Sequence, residues 1–200
     1  MFPAIPPVTR SLIIANAVVF LLEQVAGGQL FLWLALWPFG AGFLPWQVVT
    51  YSFLHAGLFH LAFNMFALYM FGGEIERVVG ERRYSAYYLT CVLTAAAAQL
   101  VVTSMVLAPP YPTVGASGGV FGVLLAFGMY FPRRTIMLVI PPIPMPAWLF
   151  VALYGGIELF LGVTGTQAGV AHFAHLGGMV GGFLMILHWR GRPPFGRRRG

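Results

Sequence analysis

Val114-Gly115-Ala116-Ser117-Gly118-Gly119-Val120-Phe121-Gly122 sets one serine among small residues, directly after the proline-rich Ala108-Pro109-Pro110-Tyr111-Pro112. Loop punctuation ends near Thr113 and an apolar run begins near Val120, so the pattern predicts a helix with Ser117 at its first turn. The unpaired N–H groups and the dipole at such a start favour negative charge. The same small residues also suit close helix packing in a membrane, where serine is common at contacts. Length gives this helix its meaning. From Ser117 to Phe131 it has fifteen residues, roughly 22 Å of rise against a hydrocarbon core of about 30 Å. With Pro132-Arg133-Arg134 holding its far end at the surface, Ser117 lies several ångströms below the opposite face. A loop dips into the membrane to reach it. Backbone of that kind persists only when buried in protein or lining a wet cavity. Ser117 is therefore expected at a submerged, water-accessible pocket.

Composition supplies the membrane. Of the 200 residues, 59% are hydrophobic and 8% charged, with a mean hydropathy of +0.83, too little charge to cover a soluble globule. Apolar runs cover about 11–25, 58–73, 84–107, 117–131, 147–163 and 170–189, which predicts an all-α bundle of six transmembrane helices. A cleaved signal peptide is the rival reading of the first run, because Arg10 precedes it, but Glu23-Gln24 closes the run without a small-x-small site. Phe31-Leu32-Trp33-Leu34-Ala35-Leu36-Trp37 is too short to cross and is expected in the interface. The net charge of +6 comes from eleven arginines, which lie at run ends or in the tail. They read as topology signals, which argues against nucleic-acid binding. Arg10, Arg77, Arg82, Arg83, Arg133, Arg134 and Arg190 to Arg199 all fall on one side. The connections 27–57, 108–116 and 165–169 carry no arginine or lysine. Both termini are thus predicted to be cytoplasmic, with residues 1–10 a lead, 11–189 the membrane domain and 190–200 a basic tail. Cys91 is the one cysteine and cannot form an intrachain disulfide.

Other polar residues reach the depth of Ser117. His60 and Asn64 are four apart, on one face in the outer half of the second run. His175 lies about five residues into the sixth, roughly 8 Å down. Intramembrane polar and ionisable groups are costly and usually functional, although interhelical hydrogen bonding alone also accounts for His60 and Asn64.

His60-Leu61-Ala62-Phe63-Asn64, Gly115-Ala116-Ser117-Gly118 and Ala174-His175-Leu176-Gly177-Gly178 with Gly182 resemble the H-x-x-x-N, G-x-S-G and A-H-x-x-G-x-x-x-G signatures of rhomboid intramembrane serine proteases. They occur in the expected order, and the resemblance extends from about Trp46 to Trp189, including Glu76 to Gly80. It implies a minimal six-span bacterial core, with Ser117 the nucleophile and His175 the general base and then acid. By the same resemblance the Ser117 N–H, His60 and Asn64 form the oxyanion site, and Gly115, Gly118, Phe121, Gly178 and Gly182 support it. The resemblance implies a dyad, and the sequence agrees that a triad would be hard to build, since it contains no aspartate. Two positions depart from the family. Phe121 stands where many members carry a tyrosine packed on the histidine, and a phenyl ring can still stack there. Gln47 follows Trp46 where an arginine is frequent.

Three polar residues stay outside this scheme. His172 precedes His175 by three, which suggests a metal site, but no Cys or Asp accompanies the pair and a hydrogen-bonded or surface-facing His172 is preferred. His55 precedes the second run and is either structural or polarises the first loop. Glu158, in the outer half of the fifth run, must be protonated or paired, with His172 or with water, or else serves substrate entry beside that helix. The absence of aspartate excludes an aspartyl protease, and the absence of His-Glu-x-x-His excludes a zinc protease. Haem ligation by His60 and His175 would leave Gly-Ala-Ser-Gly unexplained. A transporter is disfavoured because no internal repeat is apparent. The expected function is an intramembrane serine endopeptidase of a bacterial or archaeal cytoplasmic membrane. It needs no metal or organic cofactor, acts on transmembrane-helix proteins in the bilayer, and has its site toward the extracytoplasmic side. The alternative is a catalytically inactive relative that binds membrane helices.

Overall fold

The computed structural model describes residues 4–26, 28–105, 111–138, 142–165 and 170–191. The basic tail from Arg192 onward, the end of the third run at Leu107, residues 108–110 of the connection at 108–116 and residues 166–169 of that at 165–169 lie outside them. The long helices are α1 (Pro7–Ala26), α6 (Glu81–Met105), α7 (Ser117–Tyr130), α8 (Ala147–Thr164) and α9 (His172–Trp189). Between α1 and α6, α4 (Leu58–Ala67) continues through a π turn (Leu68–Gly72) into α5 (Gly73–Val79). Two short helices, α2 (Gly28–Leu34) and α3 (Gln47–Thr50), lie in the first connection. The chain is an all-α polytopic membrane protein. Four helices among the described residues, α1, Leu58–Val79, α6 and α8, are long and apolar enough to cross a membrane, and α7 is a shorter apolar helix. At fourteen residues α7 rises roughly 21 Å.

Helix ends depart from the hydropathy pattern because capping, not hydropathy, decides them. The first helix begins at Pro7 rather than Ser11. Proline suits a first helical position, and the buried Glu76 carboxylate accepts the N–H groups of Val8 and Thr9 (2.9 and 2.7 Å) and the Thr9 hydroxyl (2.7 Å). An anion at orphan N–H groups also complements the helix dipole. To deliver that carboxylate the second long helix runs on to Val79, six residues past Gly73. The connection between α7 and α8 contains a small antiparallel hairpin, β1 (Thr135–Met137) with β2 (Pro144–Pro146), in a stretch without helical periodicity.

Around the serine, α6, α7 and α9 pack at a separation only small residues allow. A Cβ at Gly118 would strike Ala95, one at Gly122 would strike Cys91, and one at Gly178 would fall on the Gly118 carbonyl. Glycine and alanine faces of this kind replace hydrophobic driving force with close van der Waals contact. Buried tyrosines then pin the helices: Tyr87 donates to the Gly122 carbonyl (2.7 Å) and Tyr51 to that of Val92 (2.9 Å).

The first connection is tied to the serine loop. Leu36 and Thr113 exchange two backbone hydrogen bonds (3.0 and 2.9 Å). Gln47, fully buried, accepts the N–H groups of Trp37 and Leu44 (3.2 and 3.1 Å) through one oxygen, an organising role for a neutral side chain.

Candidate active site

Ser117 is the first residue of α7, reached by a loop that only glycine can make. Gly115 has φ +128° and its N–H is held by the Tyr51 carbonyl (3.0 Å). A Cβ there would be strained and would meet His60 Cε1 and Nε2 at 2.8 and 2.9 Å and Ser117 Oγ at 3.5 Å. The imidazole end of His60 and the serine hydroxyl thus border one small space above Gly115.

His175, in the first turn of α9, completes the pair. Its Nε2 lies 2.7 Å from Ser117 Oγ, and Phe121, one turn along α7 from the serine, stacks on its ring at 4.3 Å and 7°. Near-parallel stacking at this distance fixes the ring plane without a hydroxyl group. The Gly118–Gly178 contact sets the spacing of α7 and α9 directly behind the pair. His60 is half-buried on the first turn of α4, and Asn64 is buried one turn later, its amide donating to the His60 carbonyl (2.9 Å). Gly182 faces Tyr87, two turns below the site, and acts on packing rather than on the serine.

The residues left outside the motif scheme separate clearly. His172 is buried, not surface-facing, and its Nδ1 lies 2.7 Å from Glu158 Oε2. The same oxygen lies 2.8 Å from His175 Nδ1. Sequence reasoning sought an aspartate and associated Glu158 with His172; it missed the contact with His175. The one available signal was a lone carboxyl in an otherwise uncharged helix. Glu158, His172 and His175 form a cluster of metal-ligating types. Their N···O separations are hydrogen-bond lengths, shorter than the edge of about 3.3 Å that zinc–nitrogen and zinc–oxygen bonds of about 2.0–2.1 Å make in a tetrahedron.

His55 sits edge-on to His60 at 5.0 Å, and neither ring nitrogen has a partner among the described residues. Burial, and secondarily His60, pushes its imidazole down from 6.5 to about 4. Between those values an unfolded chain binds a proton that the folded chain refuses, so stability falls as pH drops through this window. Apparent Tm in detergent is expected to decline from pH 6.5 toward 4, and less steeply in His55→Phe.

A serine and an imidazole hydrogen-bonded across two neighbouring helices, with a histidine of a third helix bordering the same space, define a polytopic membrane protein that carries a serine–histidine pair. The chain belongs to the rhomboid family: residues 43–191 match the Rhomboid domain. It is 31% identical over 139 residues to Rhomboid protease GluP of Bacillus subtilis, covering 70% of this chain and 25% of that one. Over 195 residues it is 29% identical to Rhomboid protease GlpG of Photorhabdus laumondii, covering 94% and 63%. Over 146 residues it is 30% identical to Rhomboid protein 1, mitochondrial, of Saccharomyces cerevisiae, covering 69% and 40%. The chain therefore spans from a quarter to under two thirds of the length of these relatives.

Proposed function

We propose that this protein is an intramembrane serine endopeptidase that cuts a peptide bond in or near a transmembrane helix of a partner protein. The observation that carries the reading is the 2.7 Å contact between Ser117 Oγ and His175 Nε2. As Oγ adds to the scissile carbonyl carbon, its proton passes to Nε2; collapse of the tetrahedral intermediate returns that proton to the leaving amine. Water then attacks the acyl-enzyme by the same route, releasing the acid and restoring the hydroxyl. The developing oxyanion is stabilised by the Ser117 N–H, His60 and the remaining hydrogen of the Asn64 amide, beside the positive end of α7.

A helical carbonyl is shielded and already hydrogen-bonded, so the substrate helix must unwind at the cut. Gly, Ala or Pro near the bond favours cleavage. Six spans with both termini cytoplasmic, supported by the arginine distribution, set the site toward the extracytoplasmic side of the cytoplasmic membrane.

The test is covalent labelling of the detergent-purified protein with a fluorophosphonate, beside cleavage of a generic single-span substrate in liposomes. Label on Ser117 that disappears in Ser117→Ala and His175→Ala is the expected result. A folded wild type that neither labels nor cleaves overturns the reading in favour of a helix-binding relative without activity.

A further inference from the structure

The geometry points to Glu158 as a positioning residue for His175, making the Ser117–His175 pair one end of a hydrogen-bonded relay. This rests on the proposed endopeptidase reading and deepens it. His172 Nδ1, Glu158 Oε2, His175 and Ser117 Oγ follow one another at 2.7, 2.8 and 2.7 Å. The two histidines are three residues apart on α9 and so share the face turned to α8.

The helices are shaped for this contact. Gly155 and Gly162 lie one turn to either side of Glu158 on α8. A Cβ at Gly155 would meet Met179 at 3.2 Å, and one at Gly162 would meet the His172 Cβ and the Phe173 ring at 3.1 Å. Small residues at these two positions let α8 approach α9 closely enough for a buried carboxyl to reach both imidazoles. Glu158 is the one charged residue of α8 and is 9% exposed, in a segment where an ionisable group without partners is disfavoured.

The chemistry follows from donor and acceptor roles. A carboxylate only accepts, so an Oε2 shared by two Nδ1 atoms places a hydrogen on both. His175 then has a bare Nε2, and its lone pair faces the Ser117 hydroxyl. That is the tautomer a general base needs. When Nε2 takes the serine proton, the imidazolium forms against a negative charge already in place. His172, as the second donor, holds Oε2 in line. Glu158 touches neither substrate nor the reacting atoms and acts only through His175.

Glu158→Gln separates charge and tautomer control from packing, because it preserves shape. Its amide nitrogen beside Nδ1 stabilises the wrong tautomer, and its oxygen offers no charge. For single-span substrate cleavage by the full chain in liposomes, kcat is expected to fall by up to about 10,000-fold, the loss seen when an orienting carboxylate is replaced by its amide in a serine–histidine system. KM and apparent Tm should stay at the wild-type values. In a His175→Ala background the same substitution should have no further effect, which a packing defect would not reproduce. Wild-type kcat in a folded Glu158→Gln, or an equal added loss on His175→Ala, overturns the inference while leaving the endopeptidase reading intact. An inactive wild type removes that reading instead. If Glu158→Gln does not fold, Glu158→Ala replaces it: restoration of kcat by formate but not by formamide supports the role, and restoration by neither overturns it.

Discussion

Ser117→Ala and His175→Ala are each expected to lower kcat on a single-span substrate by about a million-fold, and the double variant should be no slower than either alone. The reason is that the two side chains share one step. Without His175 the hydroxyl has no acceptor for its proton at 2.7 Å, and without Ser117 the imidazole has no nucleophile to activate. Effects within such a unit do not add. The fold should be untouched. Ser117 is half-buried at a helix start and its hydroxyl is hydrogen-bonded to His175, while the packing behind it is carried by Gly118, Gly119 and Gly122. Apparent Tm of Ser117→Ala should therefore match the wild type, so that lost turnover reports chemistry. An active Ser117→Ala variant, or one whose loss tracks unfolding, would move the chemistry away from this pair.

Gly178→Ala is expected to be the most destabilising single methyl addition in the bundle, by about 3 kcal/mol, with activity lost alongside. The added Cβ would land on the Gly118 carbonyl, a backbone atom that no rotamer change can move. Relief requires α7 and α9 to part, and these helices carry the serine and the histidine. A separation of even 1 Å breaks the 2.7 Å contact. Gly156→Ala is the control: nothing lies within 4 Å of its Cβ, and the change should leave stability equal or raise it by up to about 1 kcal/mol. Thermal unfolding of membrane proteins is commonly irreversible, so the comparison is apparent Tm at one scan rate. A Gly178→Ala variant as stable as Gly156→Ala would show that the helix crossing is not set by this contact.

The two substitutions differ in how visible they are from sequence. Gly178 belongs to a motif read directly as Ala-His-x-x-Gly, yet the motif does not say what the glycine meets. Its partner, the carbonyl of Gly118, lies on another helix, and only the crossing of α7 over α9 brings them together. Phe121 was legible as a ring able to stack on His175 only through the resemblance, which places an aromatic ring against the histidine at that position, and the stacking is found there. Gln47 was not legible as a structural residue. Its neutral amide gives no charge signal, and its role appears only once Trp37 and Leu44 are folded back over it.

The amino-acid sequence by itself determined the solvent, the helical class and the local chemistry. Apolar runs of spanning length have no other stable solution in a bilayer than helices, and spacings of three and four residues place His60 with Asn64 and His172 with His175 on shared faces. Tertiary structure alone decided which faces meet. Glu76 reaches back 67 residues to cap Thr9 and extend α1, and Glu158 meets both histidines across α8 and α9. The physical reason is range. Helical periodicity is a local property repeated every 3.6 residues, whereas the rotation, crossing and depth of one helix against another come from packing between residues far apart in the chain.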